Sequence, residues 1–102
     1  MRSVVWSRQA LDDAKAVVIY IARDQGSHAL SIADRIEEAG NNLSAFATGR
    51  AGRVAGTYEK VVSDLPFTIA YAIEVFSDGR EQVVILRVIH NARDWPTGEW
   101  PL

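Results

Sequence analysis

The last apolar run of the chain holds the residue types best able to do chemistry. Ile85-Leu86-Arg87-Val88-Ile89-His90 sets a guanidinium inside a greasy stretch and an imidazole at its end. Burying a guanidinium without a partner is costly, so Arg87 is either paired or serves a ligand. On the structural reading it forms an ion pair, with Glu59 or Glu74 on a neighbouring strand. On the functional reading it binds an anion on an open face of a sheet. His90 divides in the same way: a general acid or base near neutral pH, or a hydrogen-bonded residue that fixes the strand end. His28 has no companion at metal-ligand spacing and cysteine is absent, so neither a metal site nor thiolate chemistry is expected. No nucleophile elbow, phosphate loop or paired-carboxylate pattern is present, and no cofactor is expected. Gly49-Arg50-Ala51-Gly52-Arg53-Val54-Ala55-Gly56 superficially resembles a phosphate loop. It leads into a strand, so no helix N-terminus follows to hold the phosphate.

Other charges are scattered. Arg50, Arg53, Lys60, Arg87 and Arg93 would suit RNA or another phosphate-rich target if they gathered on one surface. Glu59, Glu74, Glu81 and Asp94 are interleaved with them, which equally describes a solvated mixed-charge face. The formal net charge is -2, so no whole-chain basic field steers nucleic acid and any such contact must be local. Trp95 and Trp100 lie in a proline-bearing tail. They either fold back to cap the sheet or stand out as aromatic anchors for a partner. Val17 and Leu30 fall off the inward stripes of their helices and would suit a groove that receives another chain.

Local structure must position these groups. Ser3 to Ser7 is a short β-rich run, and Ser7 has the chemistry of a helix N-cap. From Arg8 to Asp24 the residues Leu11, Ala14, Val18, Ile21 and Ala22 recur at helical spacing. Gln25-Gly26 should end this helix, with Gly26 in the left-handed conformation, and Ser27 should cap the next. Ala29, Ile32, Ala33, Ile36, Gly40, Leu43 and Ala47 then carry a second helical stripe. Two helices joined by so short a link form an antiparallel hairpin. Thr48 to Gly56 holds three glycines and two arginines and reads as a loop. Thr57 to Val62 is a strand, and Asp64-Leu65-Pro66 turns the chain into the alternating Phe67, Ile69, Tyr71, Ile73 and Val75. Asp78-Gly79 centres a tight hairpin turn. Glu81 to His90 is greasy on both faces, so it should be an inner strand covered on both sides. Plain alternation puts Val84, Leu86, Val88 and His90 on one face, and Val83, Ile85, Arg87 and Ile89 on the other.

The order is β-α-α-β-β-β, an α+β fold in which the helix hairpin covers one face of the sheet. At 102 residues the chain is expected to form one domain, residues 1–102. No signal peptide or span of about 20 apolar residues is present, and cysteine is absent, which suits a cytoplasmic protein without membrane contact.

Three segments go further. Ala10-Leu11-Asp12-Asp13-Ala14 through Tyr20-Ile21-Ala22 resembles the first helix of ParE-type toxins. Gly49-Arg50 through Gly56-Thr57-Tyr58-Glu59-Lys60-Val61-Val62, then Leu65-Pro66-Phe67-Thr68-Ile69-Ala70-Tyr71, resembles their middle strands. Arg87-Val88-Ile89-His90-Asn91-Ala92-Arg93-Asp94-Trp95-Pro96 is similar to their closing signature. The resemblance, to the RelE/ParE superfamily and within it to ParE, implies a two-helix hairpin on a small, curved, mainly antiparallel sheet. It implies a plasmid- or chromosome-encoded toxin neutralised by a ParD-like antitoxin in a hetero-oligomer that contacts operator DNA only through the antitoxin. Val17, Tyr20, Leu30 and Trp100 are then the antitoxin-binding candidates, and exposed apolar surface should make the isolated toxin prone to aggregate. ParE-like members poison DNA gyrase by stalling its cleaved-DNA complex, which is binding rather than catalysis. RelE-like members cut messenger RNA on the ribosome, a reaction for which Arg87 and His90 would be the residues. Asn91 stands where many of those enzymes have a further residue able to transfer protons, and this departure favours the gyrase reading. Arg87, His90, Arg93, Asp94 and Trp95 are the target-binding candidates.

Overall fold

A computed structural model describes residues 2–93 and 95–101, with Gln25 described for its backbone only. Strand β1 (Ser3–Trp6) leads into helix α1 (Arg8–Asn41) and a short 3-10 turn (Asn42–Ser44). Strands β2 (Arg50–Ala51), β3 (Tyr58–Val61), β4 (Phe67–Val75) and β5 (Glu81–His90) follow. The sheet order is β1-β5-β4-β3-β2, with β1 parallel to β5 and every other pair antiparallel. No helix among the described residues is long and apolar enough to cross a membrane.

Ser7 caps α1 as expected: its backbone is extended and its Oγ accepts the Ala10 N–H at 3.0 Å. The expected break at Gln25-Gly26 is corrected. Helical structure runs unbroken over 34 residues, and Gly26 is not among the glycines with positive φ. The chain nevertheless doubles back. A straight helix of that length would span about 51 Å. Yet Trp6, just before its start, donates Nε1–H to the Asn41 carboxamide at its end, and Ala14 and Ala33 line the same hollow. The helix is therefore a hairpin of two arms, and the reversal lies between Val18 and Ala33. Gly40 lets the second arm close on β1, since a Cβ there would meet the Trp6 ring at 2.4 Å.

Both arms bury one stripe on the sheet. Ala10 and Ile36 pack with Leu43, Phe67, Ile69, Tyr71, Val83, Ile85 and Val88 in one core. Each fully buried isoleucine or leucine here contributes about 1.5–3 kcal/mol. Leu11, counted above as part of the stripe, is 52% exposed, and its neighbour Ala10 is fully buried instead.

Two further corrections concern the strands. The segment after Thr48 is not wholly loop, because Arg50 and Ala51 pair with Glu59 and Tyr58 as an edge strand. And β5 does not alternate throughout. Ala70 pairs with Arg87 but Tyr71 pairs with Ile85, so Leu86 is an extra residue, a β-bulge. The bulge reverses the facing of everything after it. Val88 joins Val83 and Ile85 on the helix side, with His90 opposite Phe67. Thr68, Ala70 and Ile89 face away from the helices, yet they are buried. The segment after β5 turns back across that face, and β5 is thus covered on both sides as its sequence demands.

Candidate functional site

Strand β1 stops opposite Ile85, which leaves the margin of β5 beyond it without a strand neighbour on that side among the described residues. Two side chains from the start of the helix occupy that margin. Ser7 donates its hydroxyl to the Leu86 carbonyl at 3.1 Å. Asp13 accepts the Val88 N–H at 3.0 Å and the Arg87 Nε–H at 2.7 Å on one carboxylate oxygen. Arg87 also donates Nη1–H to the Pro101 carbonyl at 3.0 Å. The partner of Arg87 is therefore Asp13, and neither Glu59 nor Glu74. The side chains are 10% and 18% exposed, so this is a largely dry, charge-assisted pair that ties helix, bulge and tail together. Asp13 was overlooked because it lies 74 residues from Arg87. A signal was available: Ala10, Asp13 and Val17 share the inward stripe, and a carboxylate on an apolar face demands a partner.

His90 ends the strand with its ring edge-on to Phe67, centroids 5.2 Å apart. Its Nδ1 accepts the Ala92 N–H at 3.0 Å. Beyond it opens a hollow of about 430 Å³ lined by Asp13, Val17, Tyr20, Phe67, His90 and Arg93, among others. Thus two target-binding candidates, His90 and Arg93, share one hollow with two antitoxin-binding candidates, Val17 and Tyr20. Val17 is corrected from off-stripe to half-buried against the core, whereas Tyr20 is 66% exposed and Leu30 73%. Trp100 is half-buried, and its Nε1 is enclosed without a hydrogen-bond partner among the described residues. Asp94 lies outside the described residues.

The remaining basic residues do not gather. Lys60 lines a separate hollow with Arg35 and Phe46, on the helix side of β3. Arg50 and Arg53 lie on the other side and share Glu59. The Glu59 carboxyl is nearly enclosed, and burial pushes its pKa up. The Arg53 N–H at 3.0 Å, the Arg53 guanidinium at 3.1 Å and the more distant Arg50 outweigh that, and the net shift is downward. Trp95 folds back over this cluster, with the Arg53 guanidinium 3.8 Å from its ring centroid. On the core side, burial and the neighbouring Tyr58 raise the pKa of Tyr71, whose hydroxyl donates to the Thr48 carbonyl.

Comparison with known proteins matches this arrangement. Residues 4–95 fit the family model described as ParE toxin of type II toxin-antitoxin system, parDE. The chain is 32% identical over 96 residues to "Putative toxin Y4kP" of Sinorhizobium fredii (strain NBRC 101917 / NGR234), covering 93% of this chain and 94% of that one. Its fold is similar to a solved structure titled "Chromosomal ParDE TA system from P. aeruginosa", with a TM-score of 0.79 and 26% identity over 88% of this chain and 96% of that chain. The chain belongs to the ParE toxin family of type II toxin–antitoxin systems.

Proposed function

We propose that this toxin acts by binding DNA gyrase and stalling its cleaved-DNA complex, in the cytoplasm, and that a ParD-like antitoxin neutralises it in a hetero-oligomer. The observation that carries the reading is the commitment of Arg87. A nuclease that cuts RNA through its 2′-hydroxyl needs a cation to hold the phosphate beside a group that moves the proton. Here the cation is bound by Asp13 and the Pro101 carbonyl, and the adjacent imidazole already accepts a backbone N–H. Both residues of the RelE-type alternative are thereby engaged in structure. Membership of the ParE family supports binding over catalysis in the same direction.

Antitoxin partnering is supported by the ParDE system among the similar structures. The exposed apolar residues Tyr20 and Leu30 offer the helix arms as its docking surface. Reading of the operator sequence falls to the antitoxin, because the -2 net charge provides no broad basic surface here and leaves room only for a local phosphate contact.

The test is plasmid supercoiling and cleavage by purified gyrase, with and without the antitoxin-free protein. Accumulated cleaved plasmid, relieved by antitoxin, is the expected result. Unaffected gyrase in the presence of a demonstrably folded toxin would overturn the proposal and redirect attention to the ribosome.

A further inference from the structure

On the face of the sheet away from the helices, a hollow of about 270 Å³ is lined by Arg50, Arg53, Val61, Thr68, Asn91 and Trp95. Its hydrogen-bonding inventory is unbalanced toward donors. Arg53 spends its backbone N–H and its Nε–H on Glu59, while its two Nη groups have no hydrogen bond among the described residues. The Arg50 side chain is 68% exposed, and its one ionic contact among the described residues, to Glu59 at 3.6 Å, is longer than a hydrogen bond. Asn91 uses its Oδ1 to accept from the Thr68 hydroxyl, and its amide N–H groups have no hydrogen bond among the described residues. Against these donors stands, among the described residues, one carboxylate, Glu59, whose side chain is 2% exposed and accepts from Arg53 twice on one oxygen. Among the described residues, two guanidinium charges less one carboxylate charge leave one positive unit at the hollow. The Arg53 guanidinium carbon lies over the Trp95 ring, 3.8 Å from its centroid, a cation–π contact that holds the side chain at the hollow.

A hollow lined by forked donors, whose one carboxylate among the described residues is almost wholly enclosed, is complementary to a phosphodiester. That group has one negative charge and accepting oxygens only. We infer that this hollow seats a backbone phosphate of a DNA strand, and that through it the toxin holds the DNA in the stalled gyrase complex. The second clause rests on the gyrase reading, whereas the first does not. The contact is a positioning one, indifferent to base sequence.

Two measurements separate the clauses. In the first, the antitoxin-free protein is titrated into a fluorescent DNA duplex at several salt concentrations, beside RNA of the same length. Arg50→Glu reverses a charge at an exposed side chain. It should weaken DNA binding by about tenfold or more and reduce the salt dependence by about one phosphate contact. Asn91→Asp should weaken binding as well. Lys60→Glu, an equal charge reversal on the opposite side of β3, should change the affinity far less. Equal losses for Arg50→Glu and Lys60→Glu, no loss for either, or tighter Arg50-dependent binding to RNA would overturn the assignment. The second measurement is the gyrase cleavage assay. If the wild type accumulates cleaved plasmid and Arg50→Glu does so at the same concentration, the hollow's role in the complex is refuted while the gyrase reading stands. If the wild type leaves gyrase untouched while the DNA titration holds, the phosphate site stands and the gyrase reading fails.

Discussion

Replacing Asp13 with alanine should unfold this protein more readily than almost any other single change at a polar residue. The carboxylate compensates the guanidinium of Arg87 and the N–H of Val88, at 2.7 Å and 3.0 Å. In Asp13→Ala the guanidinium keeps only the Pro101 carbonyl, and the bulge loses its clasp. Removing one member of a buried pair costs about 3–5 kcal/mol. With side chains 10% and 18% exposed, some water reaches the site, and the lower end applies, about 3 kcal/mol. A domain of this size has about 5–15 kcal/mol in total, so the loss is a large share. It corresponds to a fall in Tm of about 12–24 °C. Urea denaturation followed by circular dichroism measures the loss directly. The double variant Asp13→Ala/Arg87→Met removes both charges together and should recover most of the stability, since an apolar replacement for a buried pair is often neutral. A cost below about 1 kcal/mol for Asp13→Ala, the value of an exposed pair, would refute the reasoning. So would a double variant whose loss is the sum of its two singles.

Two more outcomes follow from the geometry. Because the Glu59 pKa is lowered in the fold, the stability it provides is complete above the ordinary carboxylate range and is lost as pH falls through its folded value. Acid titration of unfolding free energy should therefore show a steeper decline for the wild type than for Glu59→Gln, and parallel curves would count against the Arg53–Glu59 clasp. Gly26→Ala should stabilise the protein by about 0.5–1 kcal/mol, because the site is helical and open around the absent Cβ. A loss of stability in thermal unfolding would instead indicate the left-handed conformation that this glycine suggests in the sequence.

Much of the architecture follows from local rules. The alternation from Phe67 to Val75, the Asp78-Gly79 turn and the Ser7 cap each obey a short-range preference, and the structure realises each. What local rules miss is settled by distant contacts. Leu86 looks like any other strand residue, and it becomes the bulge where Ser7 and Asp13 take up the margin left by β1. Two residues of β2 are too short a run to declare themselves, and they exist because Glu59 is there to pair. Gly26 lies in a helical run whose reversal is imposed by both ends meeting Trp6. For the candidate site, the prominence of Arg87 was legible as a charge in an apolar strand. Its occupation by Asp13 was legible only as a carboxylate in need of a partner on the inward stripe of the helix, and that occupation decides what the arginine is free to do.

The parallel pairing of β1 with β5 has a consequence in time. Ser3 sits opposite Gln82, so the first strand waits for a partner made 79 residues later. At about 5–20 residues per second, roughly 4–16 s of synthesis separate the two. Until then β1 has no neighbour, and the Asp13 carboxylate has neither Arg87 nor the Val88 N–H to meet. A ribosome making this chain therefore carries an unfinished sheet for most of its passage. The sheet is completed late, when β5 joins β1.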